Sequence, residues 1–432
     1  MGMAKKKPQR QHWARHHRIL AGVLICLIVL AAGLLIAQDQ ETIQIKTSLA
    51  ADDPRFPQYL GNLLGHRVTS NDSYVVRTNG PQAFPAMLAA IRQARQRVAL
   101  ETYIYEKGDV GTQFSDALEA AAKRGVQVHI ILDSVGSKKM SGDDSKRLKA
   151  AGAQIRWVNP LVSFQIEEIN YRTHRKALVV DGDVAFIGGM GIADHWAHDA
   201  KDFPMWRDTM LEMHGPVVDD VEAAFNQNWI VVAGEVEPIV EAQASSPSGP
   251  AKSIVVWSAP QTGANELKLL YLLAIAGARK SIDIESPYFI ADESSMWSLE
   301  EARRRGVRIR LLVEGDKTDA KSVKWASRAD YQHLLELGIE IAEYQPTMLH
   351  TKAMVIDGAL SITGSANFDN RSLELNDELN VAVFDHELAS RLLQDFDRDV
   401  MQAKKLDLET WRSRPVVERG REWVWSYFGE VF

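Results

Sequence analysis

Two copies of one short motif carry the residues of this chain that are best suited to chemistry. The motif reads His-x-Lys-x-x-x-x-Asp, and its two copies supply His174, Lys176 and Asp181, then His350, Lys352 and Asp357. With two imidazoles, a neutral one can attack phosphorus while the other, protonated, donates its proton to the departing alcohol. Two lysines offset negative charge on the phosphoryl oxygens. The pair of motifs therefore predicts two half-sites that form one pocket for a phosphate diester, with no metal and no cofactor required.

Each motif leads into a short strand. The runs 177–180 and 353–356 are apolar, contain β-branched residues and end at Asp-Gly turns, which favours strands. Because side chains alternate along a strand, the histidine and the lysine of each copy share one face. A glycine-led turn follows each copy, at Gly188-Gly189 in the first and Gly364-Ser365 in the second.

The motifs and several neighbouring segments resemble the phospholipase D superfamily, and more narrowly its bacterial cardiolipin synthases. The likeness spans residues 70 to 400 and includes 101–105, 125–128, 132–133, 286–290, 364–367 and 371–376. It implies a covalent phosphohistidine intermediate, with His174 as nucleophile and His350 as acid and base, although the near symmetry leaves the reverse order open. It also implies phosphate contacts from three residues, Asn367, Ser365 and Gly189.

One position departs from that pattern. Copies of the motif in the superfamily usually carry an asparagine at the seventeenth place after the histidine, and Asn367 occupies this place in the second copy. The first copy has Gly191 there. Either this glycine leaves room for a bulkier headgroup or the first half-site is weaker, and we favour the first because His174 and Lys176 are both retained.

Four carboxylates accompany the motifs. Asp208 and Glu378 follow their motifs at comparable places, each opening an alternating apolar run. A carboxylate that accepts a proton from one imidazole nitrogen fixes the tautomer and raises the basicity of the other nitrogen, so both are candidate partners of the histidines. A surface carboxylate at a strand end is the alternative. Asp181 and Asp357 fall at turns, where aspartate commonly bonds local backbone, so we expect them to fix the motif strand.

Internal repetition divides the chain into two halves. Residues 122–126 recur as 303–307, and 151–153 recur as 337–339. Each half reads strand, helix, strand, helix and motif strand, which predicts an α/β fold with a mainly parallel sheet. Together with the resemblance, this gives two phospholipase D-like α/β sandwich domains related by pseudo-twofold symmetry. The expected boundaries are 38–69 linker, 70–240 first domain, 241–253 linker, 254–405 second domain and 406–432 aromatic C-terminal segment.

The N-terminus predicts one transmembrane helix. Residues 19–37 form an uncharged apolar run, close to the roughly 20 residues that span a bilayer. The preceding tail, 1–18, holds six basic residues and no acid, so we expect it to be cytoplasmic and the catalytic domains to lie on the outer, extracytoplasmic or periplasmic, side. A cleaved signal peptide is the competing reading, but its apolar region is usually only about 7 to 15 residues long. Similar synthases often carry two spans, which leaves the side open.

Charge narrows the partners. The whole chain has 50 basic and 57 acidic side chains, and the six basic residues of the tail make the remainder more acidic still. An acidic body argues against nucleic acid as a partner, because binding to its phosphates is driven by basic faces. The single cysteine, Cys26, lies in the apolar run, so no intrachain disulfide can form.

Two further groups of residues have alternative interpretations. His195 and His198 could share a metal, but no second ligand pair accompanies them, so a surface role is favoured. The C-terminal segment is rich in aromatic residues: Trp411, Trp423, Trp425, Tyr427, Phe428 and Phe432. Such side chains either enter the lipid headgroup region or pack onto the first domain.

These observations predict a membrane-anchored phosphatidyltransferase. We expect it to make cardiolipin from two phosphatidylglycerols through a phosphohistidine, releasing glycerol. Hydrolysis by a phospholipase D, with water as acceptor, is the first alternative, because water exclusion cannot be read from motif spacing. A nuclease-type phosphodiesterase is a second alternative. A lipid-binding protein whose site is disabled at Gly191 is a third.

Overall fold

The two motif strands belong to one continuous sheet of 15 strands. The computed structural model describes residues 42–158, 172–199, 204–237, 240, 249–259 and 266–427. Each motif strand runs into a β hairpin through two consecutive residues in the left-handed region, Asp181 and Gly182 in the first half, Asp357 and Gly358 in the second. Asp-Gly suits such a turn because aspartate tolerates and glycine readily adopts positive φ.

The first half contains seven strands and four of the main helices. Its strands are β1 Thr69–Thr78, β2 Arg97–Thr102, β3 Gln127–Asp133, β4 Gln154–Val158, β5 Lys176–Val180, β6 Val184–Gly188 and β7 Thr209–His214. One helix precedes this half, α1 Phe56–Leu64. The helices within it are α2 Gly80–Gln93, α3 Asp109–Lys123, α4 Gly142–Ala150 and α5 Val217–Ala233.

The second half repeats this order and then extends it. Its strands are β8 Ala251–Trp257, β9 Ser281–Glu285, β10 Arg308–Glu314, β11 Glu340–Tyr344, β12 Ala353–Ile356, β13 Leu360–Gly364, β14 Leu379–Phe384 and β15 Ala403–Lys405. Its helices are α6 Glu266–Gly277, α7 Glu293–Arg304, α8 Lys321–Ser327, α9 Tyr331–Glu336, α10 His386–Val400, α11 Leu408–Arg412 and α12 Val416–Ser426.

The strand order shows a pseudo-twofold relation between the halves. It reads β15-β11-β10-β9-β12-β13-β14-β8-β1-β7-β6-β5-β2-β3-β4, so corresponding strands follow in the same sequence outward from the centre. At the centre β1 and β8 pair antiparallel, with Thr69 opposite Ser253. The sheet therefore joins the two halves directly.

The expectation of a mainly parallel sheet is wrong. Among the described strands, only β2 with β3, β3 with β4, β9 with β10 and β10 with β11 pair in parallel. The motif strands β5 and β12 pair antiparallel on both sides. The short Asp-Gly turns account for the antiparallel pairing of β5 with β6 and of β12 with β13, because a tight turn joins only antiparallel strands.

Helices cover both faces of the sheet. Alternate residues of a strand point to opposite faces, and on β5 Leu178 and Val180 pack with α2, α3 and α4 while Ala177 and Val179 pack with α5. In the second half α6, α7 and α9 lie on the face equivalent to α2, α3 and α4, and α10 lies on the α5 side. This α/β sandwich buries both motif strands and leaves their N-terminal ends at a shared edge.

Two of the expected linkers, and the expected packing of the C-terminal segment, differ from the structure. The stretch 38–69 contains α1, whose Phe56 and Leu60 are fully buried in the core of the second half, because its apolar residues repeat at helical spacing. The stretch 241–253 ends inside β8, which begins at Ala251. Within the segment 406–432, Trp411 packs on the second half and not on the first domain, with its ring 5.6 Å from that of Tyr331.

The expected cytoplasmic tail 1–18 and anchor 19–37 lie outside the described residues. Across the ranges that the structure describes, none of the helices has both the length and the apolar character needed to cross a bilayer.

Asp181 and Asp357 hold the far ends of the motif strands. The Asp181 carboxylate accepts hydrogen bonds from the backbone N–H groups of Arg95, Gln96 and Arg97, at 2.8, 2.8 and 2.9 Å. Asp357 accepts the equivalent three bonds from residues 279–281. Both carboxylates therefore tie the hairpin to the start of the adjacent strand, and they belong with the scaffold rather than with the catalytic residues.

We predict that Asp181→Ala lowers the free energy of unfolding by roughly 3 kcal/mol, because three N–H groups lose an ionised acceptor and alanine is strained at positive φ. Chemical denaturation of the full chain in detergent measures this. Asp143→Ala is the control, since that side chain is 90% exposed, and its stability should not change. Lost turnover with unchanged stability would instead give Asp181 a part in the chemistry.

Candidate active site

The segment that precedes each motif strand pairs with the opposite half of the chain. Thr173 forms a parallel bridge with Asp377, and the backbone N–H of His174 donates to the Asp377 carbonyl at 2.8 Å. In the symmetric position, the backbone N–H of His350 donates to the Arg207 carbonyl at 2.7 Å. Each histidine is thereby placed beside the carboxylate that follows in the other half.

Glu378 of the second half binds His174 of the first. Its two carboxylate oxygens lie 2.8 and 3.0 Å from His174 Nδ1. The Ser365 hydroxyl donates to Oε2 at 2.5 Å, and the Asn376 amide donates to Oε1 at 3.3 Å. Burial acts to raise the pKa of Glu378, but His174 and the other donors leave that pKa below its ordinary value. An ionised Glu378 keeps the proton on Nδ1, so Nε2 of His174 carries a free lone pair.

Asp208 of the first half binds His350 of the second. Its Oδ2 lies 2.8 Å from His350 Nδ1 and accepts the indole N–H of Trp196 at 2.9 Å. Its Oδ1 accepts the backbone N–H of Thr209 at 2.7 Å. Burial raises the pKa of Asp208 to about 6, against the opposing effect of Lys352. The two histidine–carboxylate pairs are thus crossed between the halves but are not identical.

The two lysines lie beside the histidines. Lys176 Nζ donates to the carbonyl of His174 at 2.6 Å, and Lys352 Nζ donates to that of His350 at 2.7 Å. Each lysine is 2% exposed. Burial lowers the pKa of Lys176 to about 7 and that of Lys352 to about 8. An anionic group that enters beside them would relieve this cost of desolvation.

Both histidines are neutral in the absence of substrate at neutral pH. Burial lowers the pKa of His174 to about 4, with Lys176 adding to the effect and Glu378 opposing it. Burial and the nearby lysines hold the pKa of His350 well below its usual value. A neutral imidazole with a fixed tautomer is the form that can act as a nucleophile.

A cavity of about 490 Å³ opens onto this group, and His174, Lys176 and His350 are in its lining. Asn367 also lines it, is 6% exposed, and its Oδ1 has no hydrogen-bond partner among the described residues. A buried amide oxygen without a partner is costly. Asn367 therefore has an acceptor available to a group bound in the cavity, and its contact with phosphate stays a prediction.

Ser365 and Gly189 serve the carboxylates rather than the cavity. Ser365 directs its hydroxyl to Glu378 and accepts the backbone N–H of Leu379 at 2.9 Å. A Cβ atom on Gly189 would lie 2.3 Å from Asp208 Oδ1, so this glycine makes room for the Asp208 carboxylate. Neither residue lines the cavity, which corrects their assignment as phosphate-binding residues.

One group of side chains among the described residues is spaced to share a metal ion: Asp109, Asp194 and His198. Asp194 already accepts the backbone N–H groups of Asp109 and Val110, at 3.1 and 2.8 Å, at the start of α3. That arrangement gives Asp194 a structural part, and the three residues lie outside the lining of the catalytic cavity. His195, the other histidine considered above, has its ring packed between those of Trp196 and Trp206, 4.1 Å from each.

Both halves of the chain match a known family. Residues 87–229 and 271–400, one stretch from each half, match the family described as "Cardiolipin synthase, PLD-like domain". The chain belongs to this family. The cardiolipin synthase of Geobacillus kaustophilus (strain HTA426) is 35% identical over 355 residues, covering 81% of this chain and 70% of that relative. The cardiolipin synthase of Geobacillus thermodenitrificans (strain NG80-2) is 33% identical over 391 residues, covering 89% and 77%.

A solved structure supports the fold. The phosphatidylserine synthase of Haemophilus influenzae Rd KW20 superposes with a TM-score of 0.68 over 87% of this chain and 100% of its own, at 12% identity. At that identity the likeness concerns architecture only. The fold of this chain is therefore one that a solved structure shares.

Gly191 does not leave space for a headgroup, contrary to the expectation from sequence. A Cβ atom on Gly191 would lie 2.8 Å from the Cβ of Ile104 and 3.0 Å from a ring carbon of Trp196. The indole of Trp196, fully buried, thus occupies the place of a side chain at 191. Its indole N–H also donates to Asp208, as the Ser365 hydroxyl donates to Glu378. The two halves of the site therefore hold their carboxylates with different donors.

Sequence reasoning gave no role in the site to four aromatic residues: Tyr103, Trp196, Trp206 and Tyr288. The rings of Tyr103 and His174 meet edge-on at 5.1 Å, and Trp206 lies 5.3 Å from His350. Tyr103 and Tyr288 fall within the segments 101–105 and 286–290, which resemble the family, so the resemblance could have indicated them. No sequence signal marks Trp196.

We predict that Trp196→Phe lowers kcat by about ten-fold, because Asp208 loses its indole donor while the ring that fills the space at Gly191 is kept. The measurement is the rate of cardiolipin formation by the full chain in detergent micelles. Trp411→Phe is the matched control, since Trp411 is also buried but its Nε1 has no partner among the described residues. Equal activity of the two variants would contradict a positioning role for Trp196.

Proposed function

We propose that this protein is a phosphatidyltransferase that makes cardiolipin from two molecules of phosphatidylglycerol and releases glycerol. The observation that carries the proposal is the pair of crossed contacts, His174 with Glu378 and His350 with Asp208, at one cavity with two buried lysines. Membership of the cardiolipin synthase family supports the choice of lipid. The reaction exchanges one phosphodiester for another, so the chain's own acid, base and nucleophile suffice.

In the first step, His174 Nε2 attacks the phosphorus of one phosphatidylglycerol. A protonated His350 donates its proton to the leaving oxygen, and free glycerol departs. The phosphatidyl group is then held on His174 as a phosphohistidine. The positive charge that develops on this imidazole is stabilised by Glu378 through Nδ1.

In the second step, the neutral His350 takes the proton from a hydroxyl group of a second phosphatidylglycerol. The oxygen attacks the phosphohistidine, cardiolipin forms, and His174 returns to its neutral state. His350 ends the cycle protonated, ready for the next leaving group. His350 acts first as acid and then as base, because the first step releases an alcohol from phosphorus and the second adds one.

The differences between the half-sites support this division of roles. Glu378 is held ionised with both oxygens close to His174, which favours the nucleophile. Burial and the neighbouring cations weaken proton binding by His350. A protonated imidazole with a low pKa is a stronger acid, and an acid of that kind transfers its proton more readily to an alkoxide-like leaving oxygen.

The negative charge of the substrate phosphate offsets the positive charge of the two buried lysines. A phosphodiester brings one negative charge to a buried site that holds Lys176 and Lys352. Its arrival favours the charged form of both lysines and of His350. Arg172 and Arg371 also line the cavity, and their charge suits the phosphate of a second lipid.

The location of the protein is part of the proposal. Residues 19–37 have the length and composition of a single membrane anchor, and the basic residues of 1–18 favour a cytoplasmic N-terminus. The catalytic halves would then act on the outer side, on lipids of the same membrane.

We predict that the purified full chain, given phosphatidylglycerol alone in detergent micelles, forms cardiolipin and glycerol in equal amounts. Mass spectrometry of the lipids and an enzymatic assay of glycerol measure the two products. Phosphatidic acid without cardiolipin would show hydrolysis instead. No turnover of phosphatidylglycerol would contradict the proposed function.

Two variants provide the mechanistic control. Both His174→Ala and His350→Ala should reduce turnover by at least about 10³-fold, because each removes a group that the reaction needs. The two variants are then given a labelled lipid whose leaving group departs without needing a proton. His350→Ala should retain acid-labile label on the protein, and His174→Ala should retain none. Label on His174→Ala would reverse the two roles.

We predict a bell-shaped dependence of kcat/KM on pH. The lowered pKa of His174, about 4, frees the nucleophile above that pH, so the acid limb lies near pH 4. Burial and the nearby lysines hold the pKa of His350, the general acid, well below its usual value, so in the free enzyme its proton is lost before neutrality and the alkaline limb begins there. The lowered pKa of Lys176, about 7, means that its charge is lost above neutrality, which steepens the same limb. Initial rates on a short-chain phosphatidylglycerol measure the profile. A flat profile between about pH 5 and pH 9 would count against these roles.

A further inference from the structure

The last helix of the described chain, α12 (Val416–Ser426), has its polarity reversed. In a typical surface helix the apolar stripe faces the core and the polar residues face water. In α12 the residue that is buried is Glu422, at 3% exposure, while Val416 and Val417 are 78% and 84% exposed. The helix is therefore held to the protein by its polar side.

Ion pairs provide that attachment. Glu422 Oε1 lies 2.6 Å from Arg414 and 3.0 Å from Arg328, and all three side chains are largely buried. Trp425, on the same inner side, packs against Trp325 of α8 with ring centroids 6.0 Å apart. These contacts fix which face of α12 points outward.

The outward face is a continuous apolar stripe. It consists of five residues, which we call the apolar face of α12: Val416, Val417, Trp423, Val424 and Tyr427. At 3.6 residues per turn they span an arc of about 120°. Arg419 and Arg421 fall on the two sides of this arc. The guanidinium of Arg421 lies over the ring of Trp325, 4.3 Å from its centroid, and no ion pair links either arginine to a carboxylate among the described residues.

One short helix, α8, separates α12 from the catalytic cavity. α12 packs on α8, and the same short helix α8 contributes Val323 to the lining of the cavity. Lipid substrates carry acyl chains that remain in apolar surroundings while their headgroup reacts. A surface that is apolar at its centre and cationic at its borders matches an anionic bilayer, because each arginine near such a surface adds attraction.

We propose that the apolar face of α12 docks on the surface of an anionic phospholipid bilayer and presents the cavity to lipids in that bilayer. The valines and Trp423 enter the boundary between headgroups and acyl chains, where amphipathic rings are favoured. Arg419 and Arg421 contact lipid phosphates. This contact is separate from the anchor at 19–37, and its role in presenting substrate rests on the proposed function.

The test compares the contact with lipid of two valines of similar exposure, Val417 and Val236. In the full chain carrying Cys26→Ala, Val417→Cys or Val236→Cys is labelled with one fluorophore; Val236 is 80% exposed and follows α5, on the other face of the sheet. Each protein is placed in vesicles of phosphatidylglycerol and phosphatidylcholine that carry a nitroxide on the acyl chains. We expect strong quenching at position 417 and little at 236. Equal quenching at both positions, or none at 417, overturns the proposal.

Other occupants of the apolar face give a different result. If a second copy or another part of this chain covers it, the label at 417 is shielded from aqueous iodide in detergent that contains no phospholipid. Shielding of that kind also overturns the proposal. Full accessibility to iodide in detergent, lost only in the vesicles, supports it.

Activity separates this inference from the proposed function. The double variant Val417→Asp with Val424→Asp should lose about ten-fold or more of its rate on phosphatidylglycerol in vesicles, because two valines that would enter the bilayer are replaced by charge. It should keep its rate on short-chain phosphatidylglycerol below the critical micelle concentration. An equal loss on both lipids overturns docking. A wild-type chain with no turnover on either lipid contradicts the proposed function, while the quenching result still decides docking.

Discussion

The crossed contacts between histidines and carboxylates set the main constraint on this structure. His174 needs Glu378 and His350 needs Asp208, so neither half of the chain holds a complete pair. Both pairs can form only if the halves meet with their motif segments at one edge. The antiparallel pairing of β1 with β8 at the centre of the sheet, and the bridge between Thr173 and Asp377, provide that meeting. The pseudo-twofold order of the strands follows from the same requirement.

Burial gives these contacts their chemical effect. Two lysines, two histidines and two carboxylates share a site from which water is largely removed, and each charge there depends on its neighbours. Without substrate, the balance lowers the pKa of both lysines and keeps the histidines neutral. A phosphodiester restores the balance with its own charge. The buried cations of the site therefore favour the binding of an anionic phosphodiester.

The symmetry is incomplete, and the departures from it have physical consequences. Asp208 is one carbon shorter than Glu378, takes an indole donor from Trp196 in place of a serine hydroxyl, and has a higher pKa. Gly191 and Gly189 provide the space for this arrangement. The two histidines therefore stand in different environments, which is compatible with the proposed division of roles between nucleophile and acid.

The sequence by itself determined the chemistry, since the spacing of His174 and Lys176 and its recurrence at His350 and Lys352 define two half-sites whatever the fold. It also indicated that Asp181 and Asp357 would fix the motif strands. The bonds that do so run to the backbone of distant residues, 95–97 and 279–281, and not to the local backbone that an Asp-Gly turn suggests. Other features depended on contacts between residues far apart in the chain, and spacing carries no information about those. Only the tertiary structure decided that Glu378 serves the first histidine, that Ser365 serves Glu378, that Trp196 fills the place beside Gly191, and that the sheet is mostly antiparallel. The outward face of α12 was decided in the same way, because its orientation depends on Glu422 meeting Arg328, a partner almost one hundred residues away.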